Sequence, residues 1–201
     1  MNRLPCVILA GGQARRMGGG DKCRLMLGKR TLLDHVIARI APQVGLLAVN
    51  ANGDPARFSD VGLPVLADTV EGFFGPLAGV LAAMGWAAEL GEAQVVTVAA
   101  DTPGFPYELV AGLLRAEGNE PIALAATRDE ARGVLRHPTF GLWPVDLRDD
   151  LRAALLGGVR KVVAWTDKHG AASAIFEHQG VDPFFNINTA QDLDAARRVK
   201  A

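Results

Sequence analysis

Residues 7–22 read Val-Ile-Leu-Ala-Gly-Gly-Gln-Ala-Arg-Arg-Met-Gly-Gly-Gly-Asp-Lys, so an apolar run passes directly into a glycine-rich loop. A short apolar run that glycines stop is typical of a buried strand in a parallel sheet. Five glycines and three basic residues fill the loop from Gly11 to Lys22. Glycines after a strand let backbone N–H groups approach a phosphate, and Arg and Lys add the charge that a triphosphate needs. The stretch therefore predicts a strand followed by a phosphate-binding loop.

The loop differs from two common phosphate-binding motifs. It has no Gly-Lys-Ser/Thr, as a Walker A loop would, and its glycines do not have the spacing Gly-x-Gly-x-x-Gly. A glycine loop that binds no ligand is thus the alternative. Six basic residues lie between Arg15 and Arg30, against one acid, Asp21. This local excess favours an anionic ligand, and a solvated basic loop is its alternative.

The flanking sequence alternates between strands and helices. Apolar runs predict strands at residues 46–49, 64–67 and 94–100, and helical spacing predicts helices at residues 32–40, from Pro76 onward and at 107–114. Such alternation indicates an α/β fold, a Rossmann-like, mostly parallel sheet with helices on both faces in three layers. Right-handed crossovers bring the carboxyl ends of the strands to one edge, where ligands bind in such sheets. Gly11, Asn50, Asp68 and Asp101 all follow strands at this edge.

The second half of the chain is more mixed. It predicts strands at residues 122–126, 134–143, 161–165 and 174–176, with the second of these antiparallel, and a helix at 147–156. Thr189 and Asp192 resemble a capping box at the start of a last helix. Without repeats or a linker, we expect one domain over residues 1–201.

Composition excludes several classes of protein. Hydrophobic residues make up 49% and charged residues 21%, which is enough apolar material for a core and argues against disorder. The net charge of −1 gives no field that would attract nucleic acid or a membrane surface. The uncharged stretch from Gly72 to Ala88 is too short for a comfortable membrane span and contains Pro76 and four glycines. We expect a soluble, cytoplasmic protein with reduced cysteines.

Two aspartates are candidate metal ligands. A carboxylate at the end of a strand suits Mg²⁺, which usually also contacts substrate phosphates. For Asp101, the alternative is a cap on a helix that Pro103 begins, and Asp68 is equally ambiguous.

Four asparagines are candidate ligand-binding residues. Asn50 and Asn52 suit a base or ribose, although Asn is ordinary in turns. Asn186 and Asn188 alternate around one residue, which places both on the same side of an extended segment.

Two other candidates gave weaker signals. His137 is interpreted as a structural histidine with a hydrogen-bond partner. Cys23 lies in a basic loop that would lower the pKa of its thiol, but a thiol nucleophile would also need a histidine beside it, which the sequence does not show. Neither serine, at positions 59 and 173, lies in a Gly-x-Ser-x-Gly motif, which excludes a serine-hydrolase elbow.

Taken together, the motifs resemble the molybdenum cofactor guanylyltransferase family over the whole length of the chain. They are Leu-Ala-Gly-Gly-x-Ala-Arg-Arg-Met-Gly-Gly-x-Asp-Lys with one extra glycine at 9–22, Gly-Pro-Leu-Ala-Gly at 75–79, Asp-Thr-Pro at 101–103, His-Pro-Thr at 137–139 and Asn-Ile-Asn-Thr at 186–189. Many nucleotidyltransferases share the first motif loosely. The motifs Gly-Pro-Leu-Ala-Gly and Asn-Ile-Asn-Thr make the resemblance more specific to this family.

The resemblance implies a nucleotidyltransferase that joins GMP from GTP to the terminal phosphate of Mo-molybdopterin and releases pyrophosphate. It assigns GTP binding to Leu9, Ala10, Gly11, Gly12, Lys22, Asn50, Asp68 and Asp101, with Asp101 as the Mg²⁺ ligand (or Mn²⁺). It assigns the pterin side to Asn186 and Asn188. Residues 1–118 would then form the nucleotide-binding half and residues 119–201 the molybdopterin-binding half. For partners, it implies a monomer with transient contacts to other molybdenum cofactor proteins.

The expected mechanism is in-line attack of the pterin phosphate on the α-phosphorus, with Lys22 and Arg16 offsetting charge and no general base. By the same resemblance, related enzymes that use CTP carry Ala-Gly in place of Gly11-Gly12. The second small residue of this pair therefore favours guanine as the base here. Three alternatives stay open: a cytidylyltransferase, a sugar-1-phosphate nucleotidyltransferase and a non-catalytic GTP-binding module.

Overall fold

The computed structural model describes residues 3–11, 21–70, 72 and 75–200. The strands are β1 Cys6–Leu9, β2 Met26–Leu27, β3 Arg30–Thr31, β4 Leu47–Asn50, β5 Val65–Leu66, β6 Gln94–Ala99, β7 Ile122–Asp129, β8 Gly133–Pro144 and β9 Ala171–Ile175. The helices are α1 Leu32–Ile40, α2 Pro76–Glu89, α3 Leu109–Glu117, α4 Arg148–Leu156, α5 Val162–His169 and α6 Ala190–Lys200. Short 3-10 helices cover Lys22–Arg24, Ala41–Gln43, Pro55–Val61 and Val145–Leu147.

Seven strands form one sheet in the order β5-β4-β1-β6-β8-β7-β9. The first four are mutually parallel, β7 is parallel to β9, and β8 is antiparallel to both of its neighbours. Strands β2 and β3 pair separately as an antiparallel ribbon. The predicted mostly parallel sheet is thus confirmed, as is the antiparallel β8.

Alternate residues of the central strand face two separate cores. Cys6 and Ile8 of β1 lie in the core beneath α1 and α3, whereas Val7 lies in the core beneath α2, α4 and α5. This alternation follows from the period of two in a strand and makes the sheet the middle of three layers.

Helix starts follow the sequence closely. Thr31 caps α1: its hydroxyl accepts from the Asp34 N–H at 3.1 Å, and the Asp34 carboxylate accepts from the Thr31 N–H at 2.9 Å. The hydrogen bond from Thr31 lowers the pKa of Asp34. Thr189 and Asp192 make the same reciprocal contacts at α6, as their spacing predicted.

One predicted strand, residues 161–165, is wrong, because this segment begins helix α5. Consecutive β-branched residues suggested a strand, but the buried positions Val162, Trp165 and Thr166 recur at helical spacing. They pack on the core under α2 and α4, where the Trp165 indole donates to Asp150 at 2.8 Å. The neighbouring strand is longer and earlier than predicted, since β9 begins at Ala171.

No helix in the described ranges combines the length and apolar character needed to cross a lipid bilayer.

Two helical glycines give a matched test of the packing. A Cβ on Gly112 of α3 would lie 2.4 Å from the buried ring of Phe176, whereas a Cβ on Gly85 of α2 would meet no atom within 4 Å. Gly112→Ala should destabilise the protein by about 1–3 kcal/mol through overpacking. Gly85→Ala should instead stabilise it by about 0.5–1 kcal/mol, since Ala favours helix. Urea denaturation measures both, and equal effects of the two substitutions would contradict this packing.

Candidate active site

A cleft of about 370 Å³ lies at the carboxyl ends of the parallel strands. Residues that follow β1, β4, β5 and β6 line it, among them Gly11, Ala51, Asp68 and Asp101. The parallel topology thus brings to one edge the strand-end residues that the sequence predicted there. Two predicted site residues, Gly12 and Arg16, lie outside the described residues.

At one end of the cleft, two asparagines hold an aspartate. The amide of Asn50, which is only 5% exposed, donates to Asp68 at 3.0 Å and to the Leu66 carbonyl at 3.1 Å. Asn52 donates to the other Asp68 oxygen at 2.7 Å and accepts from the Asp68 N–H at 2.9 Å. Asn50, Asn52 and Asp68 therefore form one preorganised polar surface where β4 and β5 end.

Gly79 of the Gly-Pro-Leu-Ala-Gly motif makes room for this surface. A Cβ at this position would lie 2.5 Å from Asn50 Oδ1 and 2.8 Å from Leu9 Cδ2. Both distances are too short for real contacts, so any side chain here would displace Asn50 or Leu9. The glycine lets α2 approach the ends of β1 and β4 closely.

The centre of the site joins residues far apart in sequence. Lys22 is only 7% exposed, and its ammonium donates to Asp101 Oδ2 and to Asn188 Oδ1. The hydroxyl of Thr102 donates to Asn186 Oδ1 and also contacts Asp101 Oδ1 at 3.2 Å. The structure thus brings Lys22, Asp101, Asn186 and Asn188 together.

The alternative role of Asp101 as a helix cap is wrong. Helix α3 begins only at Leu109, and the Asp101 carboxylate binds Lys22 and Thr102 rather than a helix N–H. The Asp101 carboxylate is partly exposed and lines the cleft, where it pairs with the ammonium of Lys22. In the described ranges, no cluster of three or more His, Cys, Asp or Glu side chains could hold a metal.

Sequence reasoning missed three residues of the site. Arg57 lines the cleft and donates to Asp21 at 2.5 Å and to the Asn52 carbonyl at 2.5 Å. It belongs to no motif, so nothing in the sequence marked it. Thr102 and Thr139 also reach the site. Their positions inside Asp-Thr-Pro and His-Pro-Thr were the available signal.

The lowered thiol pKa that the basic loop suggested for Cys23 is wrong. Its side chain is buried, and burial raises the pKa of the thiol to about 11, with the charge of Asp21 acting in the same direction. The thiol is therefore neutral near pH 7, whereas the nucleophilic form of a cysteine is the thiolate. Burial outweighs the basic neighbours Arg24 and Arg57, whose charges act in the opposite direction. Cys6 is buried within β1.

The chain is similar in sequence to known proteins over nearly its whole length. The chain is 49% identical over 198 residues to a molybdenum cofactor guanylyltransferase of Mesorhizobium japonicum, covering 96% of this chain and 94% of that protein. It is 50% identical over 201 residues to one of a Bradyrhizobium species, covering 98% and 93%.

Solved structures support the fold. Molybdopterin-guanine dinucleotide biosynthesis protein A of Archaeoglobus fulgidus has a TM-score of 0.72 at 20% identity and covers 98% of both chains. A 4-diphosphocytidyl-2C-methyl-D-erythritol synthase of Anaerococcus prevotii has a TM-score of 0.75 at 11% identity, covering 99% of this chain and 96% of that one. The model of the MobA-like NTP transferase domain matches residues 6–172, and the chain therefore belongs to this family of nucleotidyltransferases.

Proposed function

We propose that this protein transfers GMP from GTP to the terminal phosphate of Mo-molybdopterin and releases pyrophosphate. The observation that carries the proposal is the contact of Lys22 with both Asp101 and Asn188 at the edge of the cleft. With a nucleotide in the cleft, this contact would present a cation and a carboxylate to the phosphates that meet the acceptor. The names of the relatives support guanine as the base and the molybdenum cofactor as the acceptor.

Two sides of the site would take the two substrates. GTP would bind along Leu9, Ala10, Gly11 and Gly12, with its base or ribose near the preorganised surface of Asn50 and Asp68. The acceptor would approach from residues 119–201, which contribute Asn186 and Asn188. Asn186 lines the cleft, so the two sides meet within one space.

The transfer needs positioning and charge compensation more than acid–base chemistry. An oxygen of the acceptor phosphate attacks the α-phosphorus of GTP in line and forms a new P–O–P linkage. The bond from the α-phosphorus to the β-phosphate oxygen breaks, and its electron pair leaves with pyrophosphate. The attacking phosphate is already ionised, so no proton has to be removed. Lys22 and, by our proposal, Arg16 offset the charge that develops on the phosphate oxygens.

The donor set at Asp101 fits a magnesium ion that a nucleotide brings with it. Mg²⁺ is usually bound by one or two carboxylates together with substrate phosphates and water, rather than by a cage of protein ligands. Asp101 supplies one such carboxylate, and Asn186 and Asn188 supply amide oxygens nearby. When bound, the metal would neutralise phosphate charge. Asp101 would be the residue that holds the metal, beside the ammonium of Lys22.

The direct test mixes the protein with Mg²⁺, Mo-molybdopterin and equal amounts of GTP, CTP and ATP, followed by mass spectrometry of the products. We expect the guanine dinucleotide and pyrophosphate. A cytosine dinucleotide would overturn the base assignment and leave the transfer chemistry intact. GTP that binds but stays intact would overturn the proposed reaction, in favour of another acceptor or of a binding module.

The charged pair at the centre gives a second prediction. Lys22→Met and Asp101→Asn should each lower kcat by about 10²–10³, the usual cost of losing one electrostatic contact to a transition state. Lys29→Met and Asp167→Asn are matched controls, because they remove the same charges from side chains outside the cleft. Steady-state turnover with saturating substrates measures the effect. Near-normal turnover of either central variant would remove that residue from the mechanism.

Gly79 gives a prediction specific to the nucleotide. Gly79→Ala should displace Asn50 or Leu9 and raise the Kd for GTP at least about tenfold, which corresponds to about 1.4 kcal/mol. The acceptor KM should change little, because the atoms that the added Cβ would meet belong to Asn50 and Leu9 rather than to Asn186 or Asn188. Gly85→Ala on the same helix is the control, since its Cβ meets no neighbour. Isothermal titration with GTP measures the Kd, and equal values for the two variants would contradict this role of Gly79.

A further inference from the structure

The His-Pro-Thr motif on β8 takes no part in the mechanism above, yet its histidine contacts the segment that carries the two acceptor-side asparagines. The side chain of His137 is 16% exposed and faces residues 182–184. Asn186 and Asn188 follow within four residues of Phe184. The question is what this contact does for them.

Hydrogen bonds connect the sheet to this segment. His137 Nε2 lies 2.9 Å from the hydroxyl of Thr127 on β7, which donates to Asp182 Oδ2 at 3.4 Å. The other oxygen of Asp182 accepts from the backbone N–H of Phe184 at 2.8 Å. A continuous chain therefore runs from β8 through β7 to the backbone just before Asn186.

Ring stacking reinforces this connection. The imidazole of His137 lies flat on the ring of Phe184, with centroids 4.4 Å apart and planes at 16°. Phe184 is only 3% exposed, and its ring also contacts the edge of Phe140 at 5.0 Å. Phe184 is thus fixed both at its backbone and at its side chain.

The segment is held again three residues later. The N–H of Ile187 donates to the carbonyl of Asp101 at 3.0 Å, and the Ile187 side chain is buried against Leu27, Leu32 and Leu193. Asn186 lies between the two anchors, and Asn188 lies directly after the second.

We propose that His137 is a positioning residue, which acts with Thr127 and Asp182 to hold residues 182–188 so that Asn186 and Asn188 meet the acceptor. This inference rests on the proposed function, because it assigns the asparagines to the acceptor. His137 does not touch the reacting atoms in this role. It sets the place of the two amides relative to Lys22 and Asp101.

The charge state of His137 agrees with a positioning role. Burial lowers the pKa of His137; the carboxylate of Asp182 opposes this effect, and nearby His178 adds to it. Near pH 7 the ring is therefore neutral, with one nitrogen that donates and one that accepts. A neutral ring can join the hydroxyl of Thr127 without adding a cation beside the acceptor.

A purely structural role would predict a different result from a positioning role. If His137 only fills space, removing the hydroxyl of Thr127 or the charge of Asp182 would lower stability and leave the kinetics unchanged. If these hydrogen bonds position Asn186 and Asn188, breaking them must slow the steps that depend on the acceptor and leave GTP binding unchanged.

The test uses Thr127→Val and Asp182→Asn, which nearly conserve shape, with His137→Phe to keep the stacking and remove the ring nitrogens. We expect kcat/KM for Mo-molybdopterin to fall about 10- to 100-fold, as small misplacements near a reaction do. The Kd for GTP should stay within about twofold of the wild-type value, a change worth about 0.4 kcal/mol. Thr127→Ser, which restores the hydroxyl, should recover most of the loss.

Thr166→Val is the matched control. Thr166 is a fully buried threonine whose hydroxyl donates to the Val163 carbonyl at 3.2 Å within α5, outside the cleft. If the Thr127 and Asp182 variants lose stability but match this control in acceptor kcat/KM, the positioning role is overturned. The positioning role is also overturned if the GTP affinity of these variants falls by as large a factor as their kcat/KM for the acceptor. Failure of the wild-type protein to form any dinucleotide would instead refute the proposed function on which this inference rests.

Discussion

The N–H of Ile187 donates to the carbonyl of Asp101 at 3.0 Å, and this backbone contact joins the two parts of the site. Asp101 follows β6, in the region that supplies most of the cleft, whereas Ile187 lies 86 positions later. On one side of this contact the Asp101 carboxylate meets Lys22, and on the other the Ile187 side chain enters a small core with Leu27 and Leu32. Because the contact involves backbone atoms, it holds the residue between the two asparagines beside Asp101.

Strand β8, which runs antiparallel to both of its neighbours in the seven-stranded sheet, adds Thr139 to the cleft at the ends of the parallel strands. Thr97 of β6 pairs with Gly141 of β8. Because the two strands are antiparallel, the end of β6, two residues after Thr97, lies beside Thr139, two residues before Gly141. A parallel strand in this place would have brought its own carboxyl end to the cleft. The reversal brings the middle of β8 there instead, so Thr139 faces the cleft while His137 contacts Phe184.

Local patterns allowed much of this arrangement to be predicted. Apolar runs, helical spacing and Pro76 predicted the parallel strands and the starts of α1 and α2, because backbone propensities act over a few residues. The error at residues 161–165 arose because burial against α4 outweighed β-branched composition. In the site, strand ends predicted Asp101 and Asn50, but the contact of Lys22 with Asp101 spans 79 residues and no local pattern encodes it. Arg57 reaches the cleft from a 3-10 helix without a motif, so only the fold revealed it.

The pairing of Lys22 with Asp101 also explains how a cleft this polar can stay ordered before a ligand arrives. Separating two such charges in a mostly buried place would leave each without compensation, which is costly. Paired, they are neutral together, and the amide of Asn188 satisfies a further donor of the ammonium. In the proposed reaction, a triphosphate would bring several negative charges to this neutral pair, so its binding would require additional positive charge near Asp101. In the proposed reaction, the ammonium of Lys22 would be held beside the phosphates by Asp101 and Asn188 before they arrive. Such preorganisation avoids the rearrangement of solvent that charge compensation would otherwise require.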